Sequence, residues 1–230
     1  MATKSVHIDG VGTVVLAKSA RNKVIRISVK SDLVRVSMPI WVTYATGVNF
    51  LTEQMSWVLE QQNLRPKTIL KENQRVGRMH TLHFLQGQGS GKTRVTSGKI
   101  LVAIGPDEHW DQISAQNRAR KGAMRALKHE AEIILPPRVI ILSKNYDLPY
   151  KSLAFKKLTR RWGSCDSHGN IVFNIFLMQV PIELIDYVIC HELAHTKNMN
   201  HSSEFWSLVG SMCPNYKTLR KALKTHQTAL

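Results

Sequence analysis

The segment from Pro181 to Asn200 constrains the fold of this chain more than any other stretch of its sequence. Up to about Thr196, apolar residues recur at helical spacing: Ile182, Ile185, Ile189 and Leu193. Proline is favoured in the first turn of a helix, where its missing N–H group has no intrahelical partner to lose. Asn198 and Asn200 end the pattern, since Asn tolerates turn conformations. The spacing therefore predicts an amphipathic helix that is followed by a turn.

Two histidines on this helix suit a metal ion. His191 and His195 are four positions apart, so they project from one helix face, one turn apart. Two imidazoles held in this way bind zinc. Glu192 points to one side of the pair, where a carboxylate can accept a proton from water that zinc activates. Because a catalytic zinc usually has three protein ligands and one open position, His201 is the expected third ligand. We therefore predict a Zn²⁺ site with Glu192 as general base.

The spacing of these ligands matches the metzincin pattern HExxHxxGxxH, with one difference. Asn198 occupies the position of the glycine, and Asn is the next-best residue for a positive φ angle. We therefore expect a left-handed turn at Asn198. Glu204 is an alternative third ligand, because zinc also accepts a His-His-Glu set. His168 and His226 are outside candidates.

The first part of the chain reads as β-rich. Strands are predicted where β-branched residues alternate with others, at Val11–Ala17, Val24–Lys30, Leu33–Pro39, Met79–Leu85, Thr93–Thr96 and Lys99–Ile104. One stretch, Thr43–Gln62, has a helical period. We find no internal repeat in the sequence. These patterns predict a β-rich N-terminal domain with one helix over residues 1–108.

The remainder, residues 109–230, is predicted to be the metallohydrolase domain. It opens with a helix from about Trp110 to Ile134, which Pro136 and Pro137 should end. Strands are then predicted at Val139–Leu142, Leu153–Leu158 and Ile171–Asn174. The predicted fold class is α+β, with a β-rich N-terminal part followed by a zincin-like domain that carries the HExxH helix.

Charge and cysteine content indicate the setting in which the chain works. Lys and Arg number 32 against 16 Asp and Glu, a net charge of +16, which favours association with a polyanion such as nucleic acid. Near the C-terminus the basic residues at helical spacing are expected to form a solvated helix face: Lys217, Arg220, Lys221 and Lys224. Three widely spaced cysteines predict a reducing compartment. Without an apolar signal or a membrane-length apolar run, we expect a cytoplasmic protein with no membrane association.

From about Arg161 to Leu223 the sequence resembles the YgjP-like metallopeptidase family, which is related in motif to SprT-type zincins. The residues that carry the resemblance are Arg161–Cys165, Asp186–His195, Asn200–Ser202, Phe205–Trp206 and Pro214–Tyr216. A weaker resemblance extends to Ser19–Lys23 and to Trp57. The resemblance implies a zincin-like catalytic domain with His191, His195 and His201 as ligands and Glu192 as base.

Four residues near the predicted site are candidates for binding substrate: Arg161, Trp162, Ser164 and Tyr216. The segment Arg161–Cys165 can form a loop beside the metal, with Arg161 on an anionic substrate group. It can equally be a packed turn with Trp162 in the core. Tyr216 and Arg161 are the candidates for stabilising an oxyanion. Ile171–Asn174 is a candidate edge strand for an extended substrate. Cys165 is a less favoured candidate nucleophile, because no base lies nearby in sequence.

These features predict zinc-dependent hydrolysis of a peptide or protein substrate. An alternative is a metal-dependent nucleotide phosphohydrolase that uses the same site. A third hypothesis is a basic nucleic-acid-binding protein with a structural zinc, but a structural site needs no general base and usually takes a fourth protein ligand. The segment Gly87–Thr93 imitates a P-loop, yet it has one residue too few between its first glycine and Gly-Lys-Thr. We expect it to be a glycine-rich hairpin loop.

Overall fold

The computed structural model describes most of the chain, namely residues 2–8, 11–30, 33–63, 69–87 and 91–230. These residues form two compact units, Met1–Thr68 and Ile69–Leu230. Among the described residues, none of the helices combines the length and the hydropathy that crossing a bilayer requires.

The first unit is a four-stranded sheet with two helices. Its elements are β1 (Ala2–Ile8), β2 (Gly12–Lys18), β3 (Arg26–Lys30), β4 (Leu33–Met38), α1 (Tyr44–Glu53) and α2 (Met55–Asn63). The strand order is β1-β2-β4-β3, and β2 and β4 are parallel. Alternate residues of the two central strands, such as Leu16 and Val36, are fully buried and share a core with Leu51 of α1 and Val58 of α2. The predicted helix Thr43–Gln62 is therefore interrupted in the structure, where α1 and α2 meet at Gln54.

The second unit begins with another four-stranded sheet, which packs on a long helix. The elements are β5 (Arg75–Val76), β6 (His80–Gln86), β7 (Thr93–Val95), β8 (Lys99–Ile104) and α3 (Ile113–Asn145). The strand order is β5-β6-β8-β7. Leu82, Ile100 and Val102 on this sheet share a core with Ala119, Ala123 and other small residues of α3. The boundary predicted between residues 108 and 109 thus falls inside this unit, because β8 and α3 bury each other.

The two four-stranded sheets have the same topology and register. Each sheet consists of two consecutive hairpins. The second strand of the first hairpin pairs in parallel with the second strand of the next hairpin, as β2 does with β4 and β6 with β8. Corresponding backbone pairs are Ile8–Gly12, Val14–Val34 and Ile27–Val36 in the first sheet, and Val76–His80, Leu82–Ile100 and Thr93–Val102 in the second. A helix follows each sheet. The chain therefore contains a structural repeat. Its sequence shows no matching repeat, because the two sheets share a pattern of strand pairing and burial rather than residue identities.

Helix α3 runs through Pro136 and Pro137, so the predicted end before these prolines is wrong. The predicted strand Val139–Leu142 lies inside this helix. Prolines remove backbone hydrogen bonds, a cost of about 3 kcal/mol or more in a helix interior. Tertiary contacts offset this cost, because Leu135 and Val139 on either side are fully buried. Arg138 also donates two hydrogen bonds of 2.7 Å to the carboxylate of Asp186.

The rest of the second unit consists of a three-stranded sheet, a short 3-10 helix and three α-helices. The elements are β9 (Ser152–Lys156), β10 (Gly163–Cys165), β11 (Asn170–Asn174), a short 3-10 helix (Ile175–Gln179), α4 (Ile182–Ala194), α5 (Ser203–Met212) and α6 (Tyr216–Leu223). In this sheet β11 lies between β10 and β9, antiparallel to the first and parallel to the second. The described residues thus form a mixed α/β architecture with three sheets.

Candidate metal centre

Helix α4 presents the predicted ligands much as the sequence pattern indicates. Pro181 precedes its first residue, and Ile185, Ile189 and Leu193 are fully buried in the core of the unit. This apolar face fixes the rotation of the helix about its axis. His191 and Glu192 lie in its last turn, and His195 is the C-terminal capping residue, still in a helical conformation.

The turn after α4 brings His201 back to this helix end. The backbone N–H of Asn198 donates to the carbonyl of Ala194 at 3.0 Å. Asn198 does not have a positive φ angle, so the expected left-handed turn at this residue is wrong. Its carbonyl instead lies 3.1 Å from His195 Nδ1. Ser202 then caps α5 by accepting a hydrogen bond from the backbone of Phe205. The turn therefore also orients a candidate ligand.

The three histidines converge on one point. His191, His195 and His201 each offer a ring nitrogen, and these atoms all lie within 4.8 Å of one another. The Nε2 atoms of His191 and His201 are 3.2 Å apart. Among the described residues, Glu204, His168 and His226 do not belong to this cluster. Three convergent imidazoles are a ligand set typical of a catalytic zinc site.

The protonation of these rings also suits a metal ion. Burial lowers the pKa of His191 to about 3, and it lowers the pKa of His195 as well. Both rings are therefore neutral at pH 7, the form that binds metals. His195 can donate from Nδ1 to the Asn198 carbonyl, which leaves its Nε2 lone pair for a metal. The buried Nδ1 of His191 has no hydrogen-bond partner within the described part of the chain. The residues thus fit the metal ion that we predict.

Aromatic side chains of α5 and α6 support the ligands from one side. Trp206 stacks on His201, with ring centroids 5.5 Å apart, and Tyr216 stacks on Trp206 at 5.4 Å. The Arg220 guanidinium carbon lies 4.6 Å from the centre of the Trp206 ring. Arg220 therefore makes a cation–π contact with Trp206. The sequence predicts only a solvated basic face at this position. Tyr216, a predicted substrate residue, lies in this stack.

Glu192 is held against the strand β10. Its side chain is buried, and burial raises its pKa to about 8, a shift that the charge of Arg161 opposes. A Cβ atom added to Gly163 would lie 2.5 Å from Glu192 Oε1 and 2.7 Å from its Cγ and Cδ atoms. Only glycine therefore leaves room for this carboxylate. Gly163 is not among the residues predicted for the site, although the Trp-Gly-Ser-Cys stretch indicates this segment.

The other predicted substrate residues lie on or beside β10, which is a strand rather than a loop. Trp162 is partly buried against the core, as the packed-turn alternative expected. Arg161 is exposed and acts on Glu192 through its charge. Because side chains alternate along a strand, Ser164 points to the sheet face opposite to that of Gly163. The structure therefore brings Arg161 near the site, but it does not direct the Ser164 side chain towards Glu192.

Two further expectations concern this sheet. Ile171–Asn174 lies in β11, which is the central strand, so the expectation that it forms an edge is wrong. Strand β10 is an edge strand of this sheet within the described residues. Burial raises the pKa of the Cys165 thiol to about 11, and the charges of Glu192 and Asp166 add to the shift. Such a thiol is protonated at pH 7, which argues against Cys165 as a nucleophile.

Two further expectations concern the P-loop-like segment and Glu204. Residues 88–90 of the P-loop-like segment lie outside the described residues, and Thr93–Val95 after it is strand β7 rather than a helix. Glu204 is exposed, with its carboxylate 3.1 Å from the Ser203 hydroxyl.

Comparison with known proteins indicates the family of the chain. The profile of the YgjP-like metallopeptidase domain matches residues 23–226. No curated protein sequence is significantly similar to the chain. Among solved structures, the crystal structure of the metallopeptidase zymogen of Pyrococcus abyssi abylysin shows 20% sequence identity and a TM-score of 0.38. That alignment covers 40% of this chain and 93% of the other. From the extent of the profile match, the chain belongs to the YgjP-like metallopeptidase domain family.

Proposed function

We propose that this protein is a zinc-dependent peptidase whose ligands are His191, His195 and His201. The observation that carries the proposal is the convergence of three histidine nitrogens within 4.8 Å of one another, on the helix end that also bears Glu192. Membership of a metallopeptidase family supports hydrolysis as the reaction class. The ligand set favours zinc, because three imidazoles and an open position are typical of catalytic zinc sites.

The residues of the chain have distinct roles in the proposed reaction. When bound, a zinc ion polarises the peptide carbonyl, lowers the pKa of the attacking water towards about 7 and favours the ionised form of a nearby carboxylate. Glu192 accepts a proton from the attacking water at a carboxylate oxygen and then delivers it to the leaving amine. Gly163 has no side chain and so leaves the space that the Glu192 carboxylate occupies. Trp206 holds the ring of His201 by stacking.

Strand β10 is the surface that we propose for an extended peptide. In an antiparallel pair, hydrogen-bonded and non-hydrogen-bonded residues alternate. The carbonyl of Trp162 accepts from Asn174, and the N–H of Asp166 donates to Asn170, so these residues face β11. The backbone polar groups of Gly163 therefore point to the other edge, next to Glu192. A substrate that adds there as a strand would bring its backbone to the candidate metal centre.

The test is hydrolysis of a mixed peptide library by the zinc-loaded protein, with Glu192→Gln as the matched control. We expect the wild type to cleave peptides and the variant to bind zinc but lose at least about 100-fold in kcat/KM, since general base catalysis contributes 10² to 10⁴. Nucleoside triphosphates and dinucleotides belong in the same screen. Turnover of nucleotides without peptide cleavage would overturn the choice of substrate, and full activity in Glu192→Gln would overturn the role of Glu192.

A further inference from the structure

One end of the first sheet gathers positively charged side chains around a tyrosine. The Lys18 ammonium lies 4.5 Å from the centre of the Tyr44 ring, and that of Lys4 lies 5.9 Å from it. Lys18 Nζ also donates to the carbonyl of Ile40 at 3.5 Å. Lys18 is paired with Ala2 in β1 and with Met38 in β4, so the first residue of β1 and the last residues of β2 and β4 meet here.

The segment that connects β2 to β3 adds another cation to this end of the sheet. It is tied to the end of β4, because the Ser19 N–H and the Asn22 side chain both donate to the carbonyl of Met38, at 3.1 and 3.2 Å. Arg21 in this segment is exposed and lines a cavity of about 520 Å³ together with Lys18 and Ile40. Lys18 and Arg21 thus border a concave surface rather than a flat one.

A large exposed aromatic residue follows the cavity residue Ile40 in the chain. Trp41 directly follows Ile40, and the two residues are 69% and 56% exposed. Trp is highly buried on average in folded proteins, so an indole that is mostly in solvent has little packing role. Its faces are open to a ligand. We refer to Lys4, Lys18, Arg21, Ile40 and Trp41 together as the Trp41 surface.

The carboxylates that the structure describes leave the cations of this surface unpaired. Within the described residues of the first unit, none of Lys4, Lys18 and Arg21 forms an ion pair. The acidic residue of α1 is Glu53 in its last turn, whereas Tyr44 begins that helix. At a rise of about 1.5 Å per residue, Glu53 is more than about 13 Å along the helix from Tyr44. The surface therefore keeps an excess of positive charge.

We propose that the Trp41 surface binds single-stranded nucleic acid. Its three cations would contact phosphates, and the Trp41 indole would stack on an unpaired base, the combination that sequence-independent single-strand binders use. A duplex offers the same phosphates, but its bases are already stacked on each other and leave Trp41 without a partner. The proposal rests on the first unit alone and is independent of the proposed peptidase activity.

The test is fluorescence anisotropy of a labelled oligothymidylate titrated with the full chain at low salt. We compare Trp41→Ala with Trp57→Ala, because Trp57 is another exposed tryptophan of the same unit, in α2. Stacking on one base is worth at least about 1 kcal/mol, so Trp41→Ala should weaken binding by about fivefold or more. Trp57→Ala should leave the affinity unchanged. Trp41 is mostly exposed, so its loss should leave the fold intact, which circular dichroism can verify.

The phosphate contacts have a separate test in the salt dependence. Neutralising one phosphate contact should reduce the slope of log K against log salt by about 0.7 for a single strand. We expect this change in Arg21→Ala and not in Arg94→Ala, which removes the same charge from an exposed position on β7. Equal affinity of Trp41→Ala and wild type, equal slopes in the two arginine variants, or tighter binding of a duplex or of anionic vesicles would each overturn the proposal.

Discussion

Gly163→Ala should uncouple catalysis from metal binding. The added Cβ atom would lie 2.5 Å from Glu192 Oε1 and 2.7 Å from Cγ and Cδ, whereas such atoms normally approach to about 3.5 Å. The backbone of β10 is paired to β11 and cannot easily move, so Glu192 must withdraw by about 1 Å. A displacement of that size in a catalytic group can cost about 100-fold in rate, or about 2.7 kcal/mol of transition-state stabilisation.

The assay compares kcat, KM and zinc content of the wild type with those of two glycine variants. Gly98→Ala is the matched control, because its added Cβ atom would lie 3.6 Å from the Met79 carbonyl oxygen, an ordinary contact. We expect Gly163→Ala to lower kcat about 100-fold with zinc content unchanged, since the three atoms nearest to a Cβ atom at Gly163 all belong to Glu192. Gly98→Ala should behave as the wild type.

A double mutant separates displacement of Glu192 from general damage to the site. If Gly163→Ala acts only through Glu192, adding it to Glu192→Gln should produce no further loss of rate. A wild-type kcat in Gly163→Ala would contradict this explanation of the role of Gly163. So would loss of zinc in parallel with activity, since that result would mean that the substitution disturbs the metal site itself.

Three further predictions concern stability and the thiol. Glu130 is buried; its Oε1 atom lies 2.6 Å from His80 Nδ1, and its carboxylate accepts hydrogen bonds from two backbone N–H groups. Glu130→Gln should therefore lower the free energy of unfolding, measured by urea titration, by about 3–5 kcal/mol. A loss below about 1 kcal/mol would contradict this. The hydrogen bond from Ser114 lowers the pKa of Glu108, so its ionised form stabilises the folded state above the unfolded pKa of about 4.3, and this contribution disappears as the pH falls through the lower folded value. In Glu108→Gln the melting temperature should therefore fall less between pH 5 and 3 than in the wild type, and identical curves would disprove it. Cys165→Ala should retain the wild-type kcat/KM, because burial raises the pKa of this thiol to about 11; loss of turnover would restore Cys165 as a candidate nucleophile.

The candidate metal ligands were predictable because their geometry is local. A helical period from Ile182 to Leu193 fixes the rotation of the helix, and a separation of four positions then places His191 and His195 on one face of it. The contribution of His201 follows from its short separation along the chain. The strands that bury alternate residues, such as β2 and β4, were also found to within one or two residues.

The misplaced features depend on contacts between segments distant in sequence. The continuation of α3 through Pro136 is supported by burial of flanking residues and by the pairing of Arg138 with Asp186, 48 positions later. The sequence pattern contains the prolines but gives no information on these contacts. The position of β11 in the centre of its sheet is likewise set by its pairing with β9 and β10, which no local period encodes. The need for glycine at position 163 follows only from its contact with Glu192, which is 29 positions away in the sequence.

The most direct test of the central claim is the zinc content of the purified protein, measured by elemental mass spectrometry in the wild type, His201→Ala and Glu204→Ala. We expect about one zinc ion per chain in the wild type and in Glu204→Ala, and a clear loss in His201→Ala, because a three-histidine site then loses one ligand. Retention of zinc in His201→Ala, with loss in Glu204→Ala, would contradict the assigned ligand set. A wild type that binds no zinc even when zinc is supplied would contradict the metal centre itself.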